Sequence, residues 1–303
     1  MAELNYREWR DGDDLALLEI WGDPETTQVQ HFRGVLRPSS DQPWSRCIVA
    51  EDQGIAVAAG VVYETSLHPE RLWTYVEVAR DHRRAGLAST LLGMLRKEAE
   101  QSPSGVTRLR AKVEPESSGA GFAQASGLTP IQTSRVVVVQ PGALPLPDLT
   151  EADGPQLEEA ATGSVELTTA VTDFYNSVHV WDRADMTLGR AQQMLLSDAT
   201  GASGAVVLRS APRDKGGTIS AFAVSYTQER TDAPADVLLG YDTALEPETA
   251  QQAVRQLLAM LVHQYPVQLE VDESMTAVMA VLEPLLAAGT AQQLGPVTSI
   301  VSD

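Results

Sequence analysis

Six residues near the end of the first third of the chain, Arg83-Arg84-Ala85-Gly86-Leu87-Ala88, have the types and the order to hold phosphate. They follow an apolar, alternating run, Leu72-Trp73-Thr74-Tyr75-Val76-Glu77-Val78. They precede an amphipathic stretch with Leu91, Leu92, Met94, Leu95 and Ala99 at helical spacing. A strand that feeds a helix through a glycine-bearing turn leaves the first amides of the helix unpaired, and the helix dipole adds partial positive charge there. Together these make an anion site. Gly86 leaves the backbone open to close approach. Ala88 and Ser89 keep the helix mouth clear, and Arg83 and Arg84 add charge.

The composition bounds what such a site can belong to. At 303 residues, 43% apolar and 21% charged, the chain suits two globular domains. No apolar run reaches the ~18–20 residues of a membrane span, and the N-terminus has neither a basic n-region nor an apolar core, so a cytoplasmic address is expected. The single cysteine, Cys47, lies in an apolar run and reads as core rather than as a nucleophile. Residues 1–145 carry 15 Lys+Arg against 19 Asp+Glu, a net −4, and residues 146–303 carry 7 against 22, a net −15. Such acidity argues against nucleic-acid or anionic-membrane partners. It directs a polyanionic ligand to the first half, and it suits a cationic amine in the second or solubility alone.

The elements that must position the loop can be read in order. A strand over residues 4–9, a helix beginning near Asp13, a second helix around residues 25–32, and strands over 44–51 and 55–64 precede the 72–78 strand and the loop helix. A strand over 106–113, a short helix closing at Gly127 and a strand over 129–140 follow. Arg-x-x-Gly-x-Ala after an apolar strand resembles the acyl-CoA pyrophosphate loop of the GNAT superfamily of N-acetyltransferases, and the stretch from Gly121 to Leu128 resembles that family's last-helix signature. The order of elements agrees over about 140 residues.

A proline-rich linker is expected over residues 141–150. Beyond it residues 151–303 repeat the plan: helices over 157–161, 172–180 and 186–197, then strands, a helix over 247–265, a strand, a helix over 275–288 and a last strand. The expected fold is therefore α+β, two tandem GNAT-like domains at 1–140 and 151–303, each a mixed, mostly antiparallel sheet flanked by helices. The architecture resembles that of the tandem mycothiol synthase family, without implying its substrate. The second turn, Asp242-Thr243-Ala244-Leu245-Glu246-Pro247-Glu248, has no glycine and three carboxylates that would repel a pyrophosphate. The second domain is expected to lack the family's CoA site.

The resemblance implies acetyl-CoA bound by Arg83, Arg84, Ala85, Gly86, Leu87, Ala88 and Ser89. It implies that amides near Val76 and Val78 are freed where the 72–78 and 106–113 strands splay, and that one of them stabilises an oxyanion. A substrate amine would attack directly and needs a base. Glu77, a carboxylate amid an apolar strand, is the leading base, with burial expected to raise its pKa. The alternative is that it pairs with an arginine such as Arg110. Glu64 and His68 come next. The family's usual acidic tyrosine falls on Ala123, so Tyr75, Tyr63 or water would have to replace it. Arg80, Asp81 and His82 could meet a 3′-phosphate or be solvated. His31, His179 and His263 form no pair at metal-ligand spacing, and no metal is expected.

Two functions follow from the resemblance. One is an acetyl-CoA-dependent N-acetyltransferase acting on a primary amine of a small molecule or peptide. The other is a non-catalytic protein that binds or senses acyl-CoA. The acceptor and the acyl length cannot be read from the residues, and a homodimer is the default assembly.

Overall fold

In the computed structural model, which describes residues 4–25, 27–228, 230 and 233–303, the chain forms two compact units. The first holds residues up to 131 together with 300–303, and the second holds residues 132–299. In chain order the elements of the first stretch are β1 (Leu4–Glu8), α1 (Asp13–Trp21), α2 (Thr27–Arg33), β2 (Ser40–Asp41), β3 (Trp44–Asp52), β4 (Ile55–Tyr63), β5 (Leu72–Val78), α3 (Leu87–Ala99), β6 (Leu109–Val113), α4 (Ser118–Ala125) and β7 (Thr129–Val139). The helix expected around residues 25–32 is α2, and Thr26 within that range lies outside the described residues.

The sheet of the first unit runs β1-β3-β4-β5-β6, antiparallel except for the parallel pair β5–β6. β3 and β4 are apolar on both faces because both are covered. On one face Trp44, Ile48, Leu72 and Val78 meet Leu87, Leu91, Leu92 and Leu95 of α3 and Ala123 of α4. On the other, Cys47, Val49, Ala59 and Val61 meet Leu17 of α1 and Leu36. The one-residue alternation of β5 therefore sends Val76 towards α3 and Tyr75 towards α1 and α2. Residues 300–303 close this unit beside β6: Asp303 accepts from the Leu109 amide at 2.8 Å and pairs with Arg96 at 2.7 Å, and buried Arg71 donates to Ser302 Oγ at 2.9 Å.

The later elements are β8 (Gln156–Ala160), α5 (Val165–Val178), α6 (Leu188–Ala191), β9 (Ala202–Arg209), β10 (Ile219–Tyr226), β11 (Ala235–Tyr241), α7 (Pro247–Leu261), β12 (Val267–Asp272), α8 (Thr276–Ala287) and β13 (Ala291–Ser302). The second sheet runs β7-β12-β11-β10-β9-β8, again with one parallel pair, β11–β12. Its residues 134–139 come from β7, paired antiparallel with β12. The compact units thus do not coincide with the two stretches of repeated element order. Most of β7 counts with the second unit and the end of β13 with the first. The stretch expected as a proline-rich linker packs on the second unit, where the Gly142 amide donates to Val262 O at 2.7 Å and Leu144 is buried.

One element differs in type. Residues 157–161, expected as a helix, form β8. Leu-Glu-Glu-Ala favours helix intrinsically, but pairing with β9 and the Glu158–Arg209 ion pair at 2.7 Å override that propensity. Among the described residues no helix is long and apolar enough to cross a membrane.

Gly240 makes the packing of the second unit testable. A Cβ there would lie 2.2 Å from Phe222 Cζ, and Phe222 is fully buried with its ring edge-on to Phe174 at 5.6 Å. Gly240→Ala must displace that ring, at about 1–3 kcal/mol. A thermal midpoint lowered by roughly 2–10 °C is expected in a melting experiment, and an unchanged midpoint would show that the ring moves freely.

Candidate active site

The decisive geometry begins where β5 and β6 part. They pair only over Leu72↔Leu109 and Trp73↔Arg110, although β5 continues to Val78 and β6 to Val113. Which amides this exposes follows from parity. The Leu72 amide points to β6, donating to Arg108 O at 2.8 Å, and the Ala79 amide points to β4, donating to Val57 O at 2.8 Å. Strand alternation then turns the amides of Val76 and Val78 towards the gap, beyond the paired residues. The Val78 carbonyl is held from the turn, accepting from Arg83 Nε at 3.1 Å.

The turn itself is shaped for an anion. Arg84 (φ 63°) and Gly86 (φ 84°) both take the left-handed conformation, which curls successive amides around one hollow. For Arg84 that conformation costs about 1–2 kcal/mol, a local strain of the kind kept at ligand clamps. α3 opens at Leu87 with Gly86 as its N-cap. The Thr90 amide already donates to Gly86 O at 3.0 Å, so the amides of Leu87, Ala88 and Ser89 are the ones without an acceptor inside the helix. A Cβ on Gly86 would meet nothing within 4 Å among the described residues, so the space over the cradle is open and φ is what calls for glycine. These features fit the diphosphate of CoA. Arg83 contributes by fastening the turn to β5 through Nε, and His82 lies 3.2 Å from Asp52 Oδ2.

Glu77 projects on the α1–α2 side of the sheet, where it pairs with an arginine, as the alternative reading had it, but with Arg33 and not Arg110. Arg33, in the last turn of α2, donates Nη2 to Oε1 at 2.7 Å and Nε to Oε2 at 2.9 Å. Both side chains are only about one-seventh exposed (Arg33 16%, Glu77 14%). Arg33 is fixed further by Gly22 O at 2.6 Å and by the Trp21 ring at 5.2 Å. The Tyr75 hydroxyl donates to Glu77 Oε2 at 2.7 Å, and its ring stacks on Phe32 at 5.2 Å. Burial, with the neighbouring Glu77 charge, pushes the Tyr75 phenol well above its ordinary range, so it stays protonated and donates.

The other residues singled out from sequence lie apart from this cluster. Arg110 stacks on Trp73 at 4.3 Å and donates to Thr65 Oγ1 at 2.9 Å. Glu64 accepts from the Ser104 amide, and the His68 carbonyl accepts from Thr65. Burial pushes Tyr63 up to about 12 and the Cys47 thiol up to about 12, leaving that thiol inert. Ala123 is a buried residue of α4 and offers no acid. No group of three or more potential metal ligands occurs among the described residues. Arg33 was not legible as a site residue; its only sequence signal is a basic side chain next to Phe32.

The corresponding place in the second unit is filled. β11 and β12 also pair over two residues, Ala235↔Val267 and Asp236↔Gln268. Beyond them Tyr241 lies buried, its hydroxyl 3.4 Å from both Thr276 Oγ1 and the Ala277 amide, and Phe174 packs on it at 5.4 Å. The following turn has no positive φ between residues 242 and 248, and Asp242 Oδ1 accepts from the Ala244 amide at 2.9 Å. The strands part as in the first unit, but no left-handed hollow follows, and Tyr241 reaches from β11 to the start of α8.

Residues 6–124, which contain the gap, the cradle and the Glu77 cluster, match the model of the acetyltransferase (GNAT) family. This segment belongs to the GNAT acetyltransferase family. Solved structures extend the likeness to the whole chain. A GCN5-related N-acetyltransferase from Sphaerobacter thermophilus is 14% identical with a TM-score of 0.62, covering 99% of this chain and 95% of its own. A tandem GNAT protein from the clavulanic acid biosynthesis pathway, solved without AcCoA, is 16% identical with a TM-score of 0.57, covering 99% and 98%. A GCN5-related N-acetyltransferase from Anabaena variabilis is 10% identical with a TM-score of 0.52, covering 99% and 72%. At these identities the likeness is one of fold: α+β, with two tandem GNAT-like parts. No curated protein matches the sequence.

Proposed function

We propose that this GNAT protein is an acetyl-CoA-dependent N-acetyltransferase that acylates a primary amine of a small molecule or peptide. The observation that carries the reading is the left-handed pair Arg84 and Gly86, opening α3 directly after the strand that leaves β6. In this reading residues 1–140 hold the acyl donor and residues 151–303 form a degenerate repeat behind the 141–150 linker. Arg83, Arg84, Ala85, Gly86, Leu87, Ala88 and Ser89 bind the pyrophosphate. The donor supplies an acetyl carbon already activated as a thioester.

The chain's own residues then position and move charge. The Val76 and Val78 amides would hold the pantetheine arm, and either of them would be the donor for the thioester carbonyl oxygen. Glu77 takes the proton of the incoming ammonium. Its Oε2 is committed to Arg33 and Tyr75, whereas Oε1 carries a single bond from Arg33 and keeps a second lone-pair direction. A positioned base of this kind contributes within the usual 10²–10⁴ range. Tyr75 steadies that carboxylate and is the candidate proton donor, since Ala123 offers none.

Thiol release from acetyl-CoA, followed with a panel of primary amines, tests the proposal. Turnover that depends on the amine is expected. Tight acetyl-CoA binding without turnover for any amine would instead support an acyl-CoA-binding protein, the reading that the alanine at Ala123 and the ion-paired Glu77 favour.

A further inference from the structure

A cavity of about 200 Å³ lies between α1 and α2, walled by Trp9, Leu15, Leu18, Trp21 and Leu36. Arg33 belongs to its lining and also grips Glu77 at 2.7 Å, so the cavity ends within one guanidinium of the proposed base. Two of its leucines are open to solvent, Leu15 at 64% and Leu18 at 40% exposure, which leaves apolar surface for an incoming group to cover. Resting on the acetyltransferase reading, we infer that this cavity receives the side group of the acceptor, and that the acceptor is a primary amine carrying an uncharged apolar group such as one aromatic ring or a branched aliphatic chain.

Size, wall chemistry and charge each restrict the acceptor. A dry cavity near 150 Å³ is enough to hold a benzene-sized molecule, so a volume of about 200 Å³ suits one ring and not a fused system. Most of the wall is indole, leucine and proline, which gain from covering an apolar group, and the polar side chains in the lining are few, Asp14, Gln30 and Arg33. The Arg33 charge is already matched by Glu77. The remaining formal charge in the lining is that of Asp14, beside the neutral amide of Gln30. An acceptor with a carboxylate next to its amine would meet two carboxylates and no uncommitted cation among these lining residues, and is disfavoured.

The test is a calorimetric titration of 2-phenylethylamine, ethylamine and phenylalanine into the wild type and into Leu18→Trp and Leu15→Lys. Both changes fall at exposed positions of α1, and acetyl-CoA affinity, set at the cradle, reports whether each variant is folded. 2-Phenylethylamine is expected to bind at least about tenfold tighter than the other two and to lose at least about tenfold in both variants, in line with what a few methylenes contribute in an apolar pocket. Equal affinity for ethylamine or phenylalanine, or undiminished binding of 2-phenylethylamine by the variants, would overturn the inference. Selective binding with no acetyl transfer to any amine would leave the cavity assignment standing and remove the acetyltransferase reading. Turnover without size preference would do the reverse.

Discussion

Gly86→Glu is expected to weaken acetyl-CoA binding by at least about a thousandfold, which corresponds to roughly 4 kcal/mol. Two effects add. At φ 84° a side chain with a Cβ costs about 1–2 kcal/mol that glycine does not. The carboxylate would also stand within several ångströms of a pyrophosphate, where each like-charge pair costs a few kcal/mol at the effective dielectric of a protein surface. Gly86→Ala separates the two. Its Cβ meets nothing within 4 Å among the described residues, so only the backbone term remains and a loss near tenfold is expected. Calorimetry with both variants, with helical content checked by circular dichroism, gives the comparison. A Glu variant with wild-type affinity would mean that the cradle does not hold the cofactor.

The second large effect is expected in catalysis. Glu77→Gln should lower kcat by about 10²–10³-fold while leaving acetyl-CoA affinity within a few-fold of the wild type. The amide keeps the size of the side chain but offers one acceptor where Arg33 and Tyr75 use two, so a fall in kcat is expected from lost positioning as well. The pH dependence decides between the roles. Without a base only the already neutral amine reacts, so the variant's rate should climb about tenfold per pH unit up to the amine's own pKa. The wild type should level off earlier. Parallel profiles for the two proteins would assign Glu77 to holding α2 against β5 through Arg33, and not to proton transfer.

Much of this site can be read locally because its parts are local. Arg83 to Ser89 is one turn and the start of one helix, and Gly127 stands at φ 85° behind α4 as its position after a short helix implies. Placing the amides of Val76 and Val78 beside the parting of β5 from β6 needed one further fact, the pairing of those strands over two residues. What sequence could not supply depends on tertiary placement. Arg33 reaches Glu77 across 44 residues because α2 packs on the Tyr75 side of β5, and nothing in either segment names the other. Tyr241 reads as the end of a strand until its hydroxyl is seen between β11 and α8. The same limit explains β7 and the end of β13. Alternation marks a run as a strand, but the choice of neighbouring strand is made by non-local pairing, and both runs are counted away from the stretch that encodes most of their presumed domain.

The most direct measurement is the stoichiometry of acetyl-CoA binding to the wild-type chain by calorimetric titration. One site per chain is predicted, because the first unit builds a cradle with Arg84 and Gly86 left-handed while the second fills its gap with Tyr241 and has no positive φ in its turn. Two sites would contradict the assignment of the second unit as degenerate. No binding would contradict the central claim, leaving a GNAT fold without its acyl donor.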